Sequence, residues 1–328
     1  MNENNTMKEI AEQLLNADKI LIFPHVSMDG DAFGSSASLC RALRMLGKSA
    51  FVLIEEEIPK YLAFLDDGYC SSNQNVIPDP NICVCVDCAD IERFILRKEK
   101  FLQGKITMCI DHHKTSGGFA DYNYIDENAA ATAEIIYKLL LEMNVVIDKK
   151  IGEAIYAAIV SDTGNFQYSN TLAETHLITV ELFKAGIDNN YVNRMLYQNV
   201  RIEKLRIAGR IFQTLKIIGG GQAIIGYVTQ EMLSEANALM EDTEGLSETF
   251  RDITNIEVGI FAKETKQFET KFSMRSKTWV DVTTIAEKYK GGGHSRAAGC
   301  TIKAPIREAI KLIEADLEEY FREQSDRK

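Results

Sequence analysis

The sequence predicts an α/β protein built on a parallel sheet, and three observations carry that prediction. Short, β-rich, nearly continuous apolar runs recur at 19–24, 50–54, 82–86 and 105–110, the pattern of strands buried on both faces. Segments of helical apolar spacing lie between them, which makes β-α-β units. Three of these runs lead straight into His25, Asp87 and Asp111, and in open α/β sheets ligands bind just outside the carboxyl ends of the strands.

Taken in order, residues 7–17 form a helical opening and 19–24 the first strand. Residues 35–46 are apolar at helical spacing and stop at Gly47, after which 50–54 is the second strand. The runs 82–86 and 105–110 end at Asp87 and Asp111. Residues 130–143 and 150–160 read as helices, the second apolar enough to be buried and leading into Asp162. Helices over 172–185 and 190–215 follow, the latter expected to link two domains. From Lys216 two strands with a glycine turn open a second unit. It continues with helices over 231–240 and 246–253, strands over 258–261 and 267–274, a helix over 281–289 broken by Gly291–His294, a strand to Ile302 and an amphipathic helix over 305–323. The expected division is therefore 1–190, a helical linker 191–215, and a smaller α/β unit 216–328.

The bulk properties bound the function. At 328 residues the chain is long enough for two cores. The stretch Met1 to Thr6 is polar, and no apolar run approaches the length that spans a bilayer, so the expectation is a cytoplasmic protein without membrane contact. Seven scattered cysteines, several in apolar runs, suit reduced buried thiols. Cys85 and Cys88 form a lone CxxC, too few ligands for a zinc knuckle. A net charge of −11 argues against a broad binder of long nucleic acid. It leaves room for a small anionic substrate wherever bound cations reverse the local field.

Only five histidines occur, and three fall in acidic segments: His25-x3-Asp29-Gly30-Asp31 and Asp111-His112-His113. Imidazole with carboxylate is a ligand set for Mn, Fe, Co or Zn, and a carboxylate-rich site suits two ions. Asp29 and Asp31 either face such ions or form an Asp-Gly turn with a helix cap, Gly30 easing the turn and Gly34-Ser35 opening the helix. Asp87 either bridges two ions or caps the next helix. Of His112 and His113, one can ligate and the other act as acid or charge stabiliser, with Asp111 orienting an imidazole. Asp162, at a helix C-terminus, is badly placed for an anion unless a cation accompanies it. Gly291-Gly292-Gly293-His294 either lets a ligand approach the backbone or ends a helix. Arg275-Ser276 is an anion-binding candidate. His176 reads as structural, without partners.

The combination resembles the DHH phosphoesterase family, subfamily 1, with its C-terminal DHHA1 domain. The match spans nearly the whole chain and rests on 25–35, 86–90, Asp111-His112-His113, 161–166 and 291–299, with 242–245 and 273–276 in support. In size it is similar to the nanoRNase and 3′-phosphoadenosine-5′-phosphate (pAp) phosphatase branch. The resemblance implies a DHH domain and a DHHA1 domain with the active site in the cleft between them. It implies two divalent ions, Mn²⁺ by preference: one on His25, Asp29 and Asp87, the other on Asp31, Asp87, His112 and Asp162, with Asp87 bridging. His113 would face the phosphate, and Gly292, Gly293, His294, Arg275 and Ser276 would grip the nucleotide. Lys290 departs from many members, which carry a further glycine there. The implied substrates are short RNA and pAp, cut by an ion-activated water. Linear di-adenylate or a cyclic dinucleotide, or pyrophosphate or polyphosphate, are the alternative substrates, and a non-catalytic nucleotide or RNA binder is the remaining reading. A homodimer is allowed.

Overall fold

The computed structural model describes residues 4–326; Met1, Asn2 and Glu3 of the polar N-terminal stretch lie outside the described residues. The chain divides into two compact units, 1–199 and 200–328. The first runs α1 (Met7–Asn16), β1 (Lys19–Phe23), α2 (Gly30–Met45), β2 (Ser49–Leu53), β3 (Cys70–Ser71), β4 (Ile82–Val86), α3 (Lys98–Phe101), β5 (Ile106–Asp111), β6 (Tyr122–Ile125), α4 (Thr132–Glu142), α5 (Lys149–Asp162), α6 (Ala173–Lys184) and α7 (Asn189–Tyr197).

Its six strands pair in parallel in the order β3-β2-β1-β4-β5-β6. The chain leaves β1 for β2 on one side and later returns to β4 on the other. The switch point, where a crevice opens in such sheets, therefore lies beyond the ends of β1 and β4. Both faces are covered. Val84, Val86, Met108 and Ile110 pack with Ile10, Phe33, Leu39 and Ile155. The alternate positions Cys83, Cys85 and Cys109 pack with Phe23, Phe94 and Phe101. All seven cysteines are free thiols, as their apolar settings predict.

The second unit runs α8 (Ile202–Phe212), β7 (Lys216–Ile218), β8 (Ala223–Val228), α9 (Gln230–Ala236), α10 (Leu246–Arg251), β9 (Val258–Lys266), β10 (Glu269–Ser276), α11 (Thr283–Ala286), β11 (Gly292–His294), β12 (Ala297–Ile302) and α12 (Ile306–Asp326). Its sheet, ordered β11-β12-β10-β9-β8-β7, is antiparallel except between β8 and β9. Phe272 and Met274 pack with Ile313, Leu317 and Phe321 of α12, and Phe261 packs with Ile207, Ile211 and Phe250. Among the described residues no helix is long and apolar enough to cross a membrane.

Several expectations need correcting. The helix expected over 190–215 is two helices, α7 and α8. Val192 packs in the first unit's core and Ile207 in the second's, so tertiary burial overrides a continuous apolar period. The helices expected over 231–240 and 281–289 are shorter, at Gln230–Ala236 and Thr283–Ala286. Gly292–His294 is a strand rather than a loop, paired with β12. A Cβ on Gly291 would meet Gly299 O at 2.2 Å and one on Gly293 would meet Ala297 O at 2.3 Å, so two of these glycines serve strand packing. Lys290 sits at φ 57°, left-handed backbone that a glycine would enter without strain.

The helix expected from Ser35 begins at Gly30, because the Asp29 side chain accepts from the N–H groups of Asp31 and Ala32. Gly30 does not ease a turn. A Cβ there would meet Ser161 Oγ at 1.9 Å, and one on Gly34 would meet Ala154 O at 2.5 Å. The two glycines let α2 lie close against α5, the helix that carries Asp162. Gly34→Ala presses on backbone, which cannot swing aside. It should destabilise the metal-free protein by about 1–3 kcal/mol, read by urea unfolding; an unchanged midpoint would show that the helices separate freely.

Candidate metal centre

At the carboxyl edge of the first sheet, the segments after β1, β4 and β5 meet the end of α5. His25, Asp29, Asp31, Asp87, His112, His113 and Asp162 converge there. Ligand atoms group as His25–Asp29–Asp87, as Asp31–His112–Asp162, and as Asp87–His112–His113. Within these groups, nitrogen to oxygen distances run from 3.5 Å (His112 Nε2 to Asp162) to 3.9 Å (His112 Nε2 to Asp31). That is too long for a hydrogen bond and a little wider than the roughly 3–3.6 Å between two atoms that each lie about 2.1 Å from one ion. Asp87 belongs to both sides. Its Oδ2 is 3.7 Å from His25 Nε2, and its Oδ1 is 3.6 Å from His112 Nε2.

The imidazoles are held by their far nitrogens. His25 Nδ1 lies 2.7 Å from Val26 O, and His112 Nδ1 lies 3.1 Å from Ala129 O. A carbonyl can only accept, so Nδ1 donates in each ring and Nε2 is the nitrogen turned toward the carboxylates. His113 differs. Its Nδ1 meets Asp111 Oδ1 at 2.7 Å, and its side chain is 29% exposed against 5% for His25. The contact with Asp111 raises the His113 pKa, whereas burial lowers that of His25. Burial alone would raise Asp111, but the hydrogen bond and charge of His113 hold it below the usual carboxylate range. One imidazole is thus set up as an acid, and the other two turn Nε2 toward the carboxylates.

The carboxylates are crowded. Burial, then the charges of Asp31, Asp29 and Asp111, push Asp87 well above the usual range. Burial likewise raises Asp31, and Asp162 is pushed up to about 7. Among the described residues none of these acids is ion-paired to a lysine or arginine. Oxygen and imidazole donors in this number, without a lysine or arginine beside them, fit hard or borderline divalent cations. Asp29 reconciles its two readings: Oδ1 caps α2 while Oδ2 faces His25 at 3.8 Å. Asp87 does not cap a helix. It sits at φ 60°, a left-handed conformation that costs a non-glycine residue about 1–3 kcal/mol and is held at functional sites by the surrounding fold.

Supporting residues escaped the sequence reading. Thr132 Oγ donates to Asp87 Oδ1 at 2.7 Å, and the N–H groups of Thr132 and Ala133 donate to Asp31. Asn170 Nδ2 donates to Ala130 O and Asp162 O. Buried Arg97 donates to Leu53 O, Pro24 O and Glu55, tying the ends of β1 and β2 together beside His25. Arg93 is exposed, and its charge reaches His25. Only spatial neighbourhood marks these residues; isolated Thr, Asn or Arg in sequence carries no such signal. His176 has a partner after all, stacked on Phe166 at 5.2 Å.

The nucleotide-grip candidates lie in the second unit. Arg275 is paired with Glu248 at 2.9 Å. Ser276 Oγ donates to Val280 O at 2.6 Å and is buried. Gly292, Gly293 and His294 are exposed, and a Cβ on Gly292 would meet nothing within 4 Å.

Two family models match the chain: DHH family, N-terminal domain, over residues 19–159, and DHHA1 domain over residues 220–323. The chain is 30% identical over 323 residues to the bifunctional oligoribonuclease and PAP phosphatase NrnA of Thermus thermophilus, covering 96% of this chain and 95% of that protein. Among solved structures, an exopolyphosphatase-related protein from Bacteroides fragilis superposes with a TM-score of 0.91 at 26% identity, covering 96% of each chain. The exonuclease RecJ bound to manganese shares the fold, with a TM-score of 0.54 at 14% identity over 98% of this chain and 95% of that one.

The raised carboxylates fix a pH dependence. Between about pH 4 and 7 the folded, metal-free chain binds protons on Asp31, Asp87 and Asp162 that the unfolded chain has released. Unfolding stability therefore falls as pH rises through that window. His113 acts in the same direction at its upper end and His25 in the opposite one. Thermal unfolding without metal should show a higher midpoint at pH 5 than at pH 8. Added Mn²⁺ should raise the midpoint more at pH 8, where protons no longer compete for the carboxylates. A larger Mn²⁺ effect at pH 5 would contradict this electrostatic account.

Proposed function

The chain belongs to the DHH phosphoesterase family, and on that premise we propose that it hydrolyses short oligoribonucleotides to mononucleotides and pAp to AMP, using two divalent ions, Mn²⁺ by preference. It is an enzyme, a phosphoric ester hydrolase. The observation that carries the proposal is the division of Asp87, one oxygen toward His25 and the other toward His112.

In this reading His25, Asp29 and Asp87 hold one ion, and Asp31, Asp87, His112 and Asp162 hold the other. When bound, the ion pair supplies a nucleophile from water at neutral pH and charge stabilisation for an in-line displacement at phosphorus. The chain does the rest. His113, kept protonated by Asp111, faces the phosphate and gives its proton to the leaving oxygen. Asp111 stays ionised and holds the ring in place. Gly292, Gly293 and His294 meet the nucleotide, with Arg275 exchanging Glu248 for phosphate. Ser276 supports this grip through Val280 rather than with a spare hydroxyl. The relative named for oligoribonuclease and pAp phosphatase activities supports the substrate class, and the manganese in RecJ supports the choice of ion.

The test is release of AMP from pAp and of mononucleotides from RNA dimers to pentamers by purified protein with Mn²⁺, beside pyrophosphate. Asp87→Asn should lower turnover on the order of 1000-fold, the scale of several kcal/mol of transition-state stabilisation. His113→Gln should retain Mn²⁺ uptake while losing about 100-fold or more in kcat. Hydrolysis of pyrophosphate alone would move the assignment to inorganic substrates, and silence on every substrate with metal bound would overturn it.

A further inference from the structure

α4 begins in an unusual way. Its N-cap, Ala131, has no side chain with which to cap the helix. The N–H groups at its start are satisfied instead by a carboxylate distant in sequence: Thr132 N–H donates to Asp31 Oδ2 at 2.6 Å and Ala133 N–H to Asp31 Oδ1 at 3.0 Å. Ser35 Oγ adds a further bond to Asp31 at 2.9 Å. At the same residue, the Thr132 hydroxyl donates to Asp87 Oδ1 at 2.7 Å, and Thr132 has no exposed surface. A single residue therefore touches two carboxylates from different elements, Asp31 in the first turn of α2 through its backbone and Asp87 just after β4 through its side chain.

The two contacts differ in consequence. The backbone bonds belong to any residue at position 132. The hydroxyl bond belongs to threonine or serine. A carboxylate oxygen has two lone pairs. With the Thr132 hydroxyl on one lone pair of Oδ1, the other remains for the His112 side, and Oδ2 remains for the His25 side. The hydroxyl thereby sets the rotation of the Asp87 carboxylate about its Cβ–Cγ bond, in a pocket where Asp87 is 2% exposed. Without it the carboxylate is free to turn and present both oxygens to one cluster.

We infer that Thr132 is a positioning residue that holds Asp87 in the orientation that lets it serve both ion sites at once. This rests on the two-ion reading above and adds a residue to it. Thr132→Val removes the hydroxyl and keeps shape and backbone; Thr132→Ser keeps the hydroxyl and loses a methyl. Mn²⁺ binding is measured by titration calorimetry, and coupling between the bound ions by electron paramagnetic resonance. For Thr132→Val the account expects one Mn²⁺ to bind as in wild type, the other to bind about 10- to 100-fold more weakly, the scale of losing a group that orients a metal ligand, and the signal of the coupled pair to be lost. Thr132→Ser restores both. Where valine does not fold, Thr132→Ala removes the same hydroxyl. Wild-type affinities and coupling in the valine or alanine variant would overturn the inference. So would equal impairment of the serine and valine variants, which points to packing. Fewer than two ions on wild type would defeat the two-ion reading itself and the inference with it, an outcome distinct from the others because it appears before any substitution.

Discussion

Mutual repulsion among buried carboxylates governs this structure. Asp31, Asp87 and Asp111 are almost fully buried at one sheet edge, with Asp29 and Asp162 beside them. Such a group is tolerable only with protons or cations among its members. Much of the local architecture follows from keeping these acids together. The switch point of the sheet brings β1 and β4 side by side, so His25 and Asp87 arrive at the same place. The start of α4 lends its N–H groups to Asp31. Two glycines let α2 approach α5, which carries Asp162. Asp87 accepts a strained backbone angle that no tight turn demands. Together these features gather a group of carboxylates that calls for protons or cations among its members.

The division of labour among the histidines follows from what each Nδ1 meets. A carbonyl behind His25 and His112 takes Nδ1 and leaves Nε2 facing the carboxylates. A carboxylate behind His113 favours the charged ring. Adjacent residues of one chain segment thus differ in what their Nδ1 meets, and the more exposed ring is the one whose pKa is raised.

Much of this was legible in the sequence for a simple reason. A parallel strand buried on both faces is a continuous apolar run, and where it ends in His or Asp the polar residue stands out. That made the principal strands and the residues following β1, β4 and β5 readable, along with the change of character at Lys216. What stayed hidden depends on neighbours far apart in sequence. The two-residue β3 carries no periodicity. The roles of Gly30 and Gly34 appear only with α5 beside them, and the pairing of Gly292–His294 only with β12. The break between α7 and α8 follows from which core claims each half. Thr132 and Asn170 carry no charge and no motif, yet they fix the acids that do.

The most direct test is the anomalous difference map of crystals grown with Mn²⁺. The account predicts two peaks about 3.5–4 Å apart, the separation usual for paired-ion hydrolytic sites, one beside His25 and Asp29 and the other beside Asp31, His112 and Asp162, with Asp87 between them. A single peak, or two peaks that do not share Asp87, would contradict it.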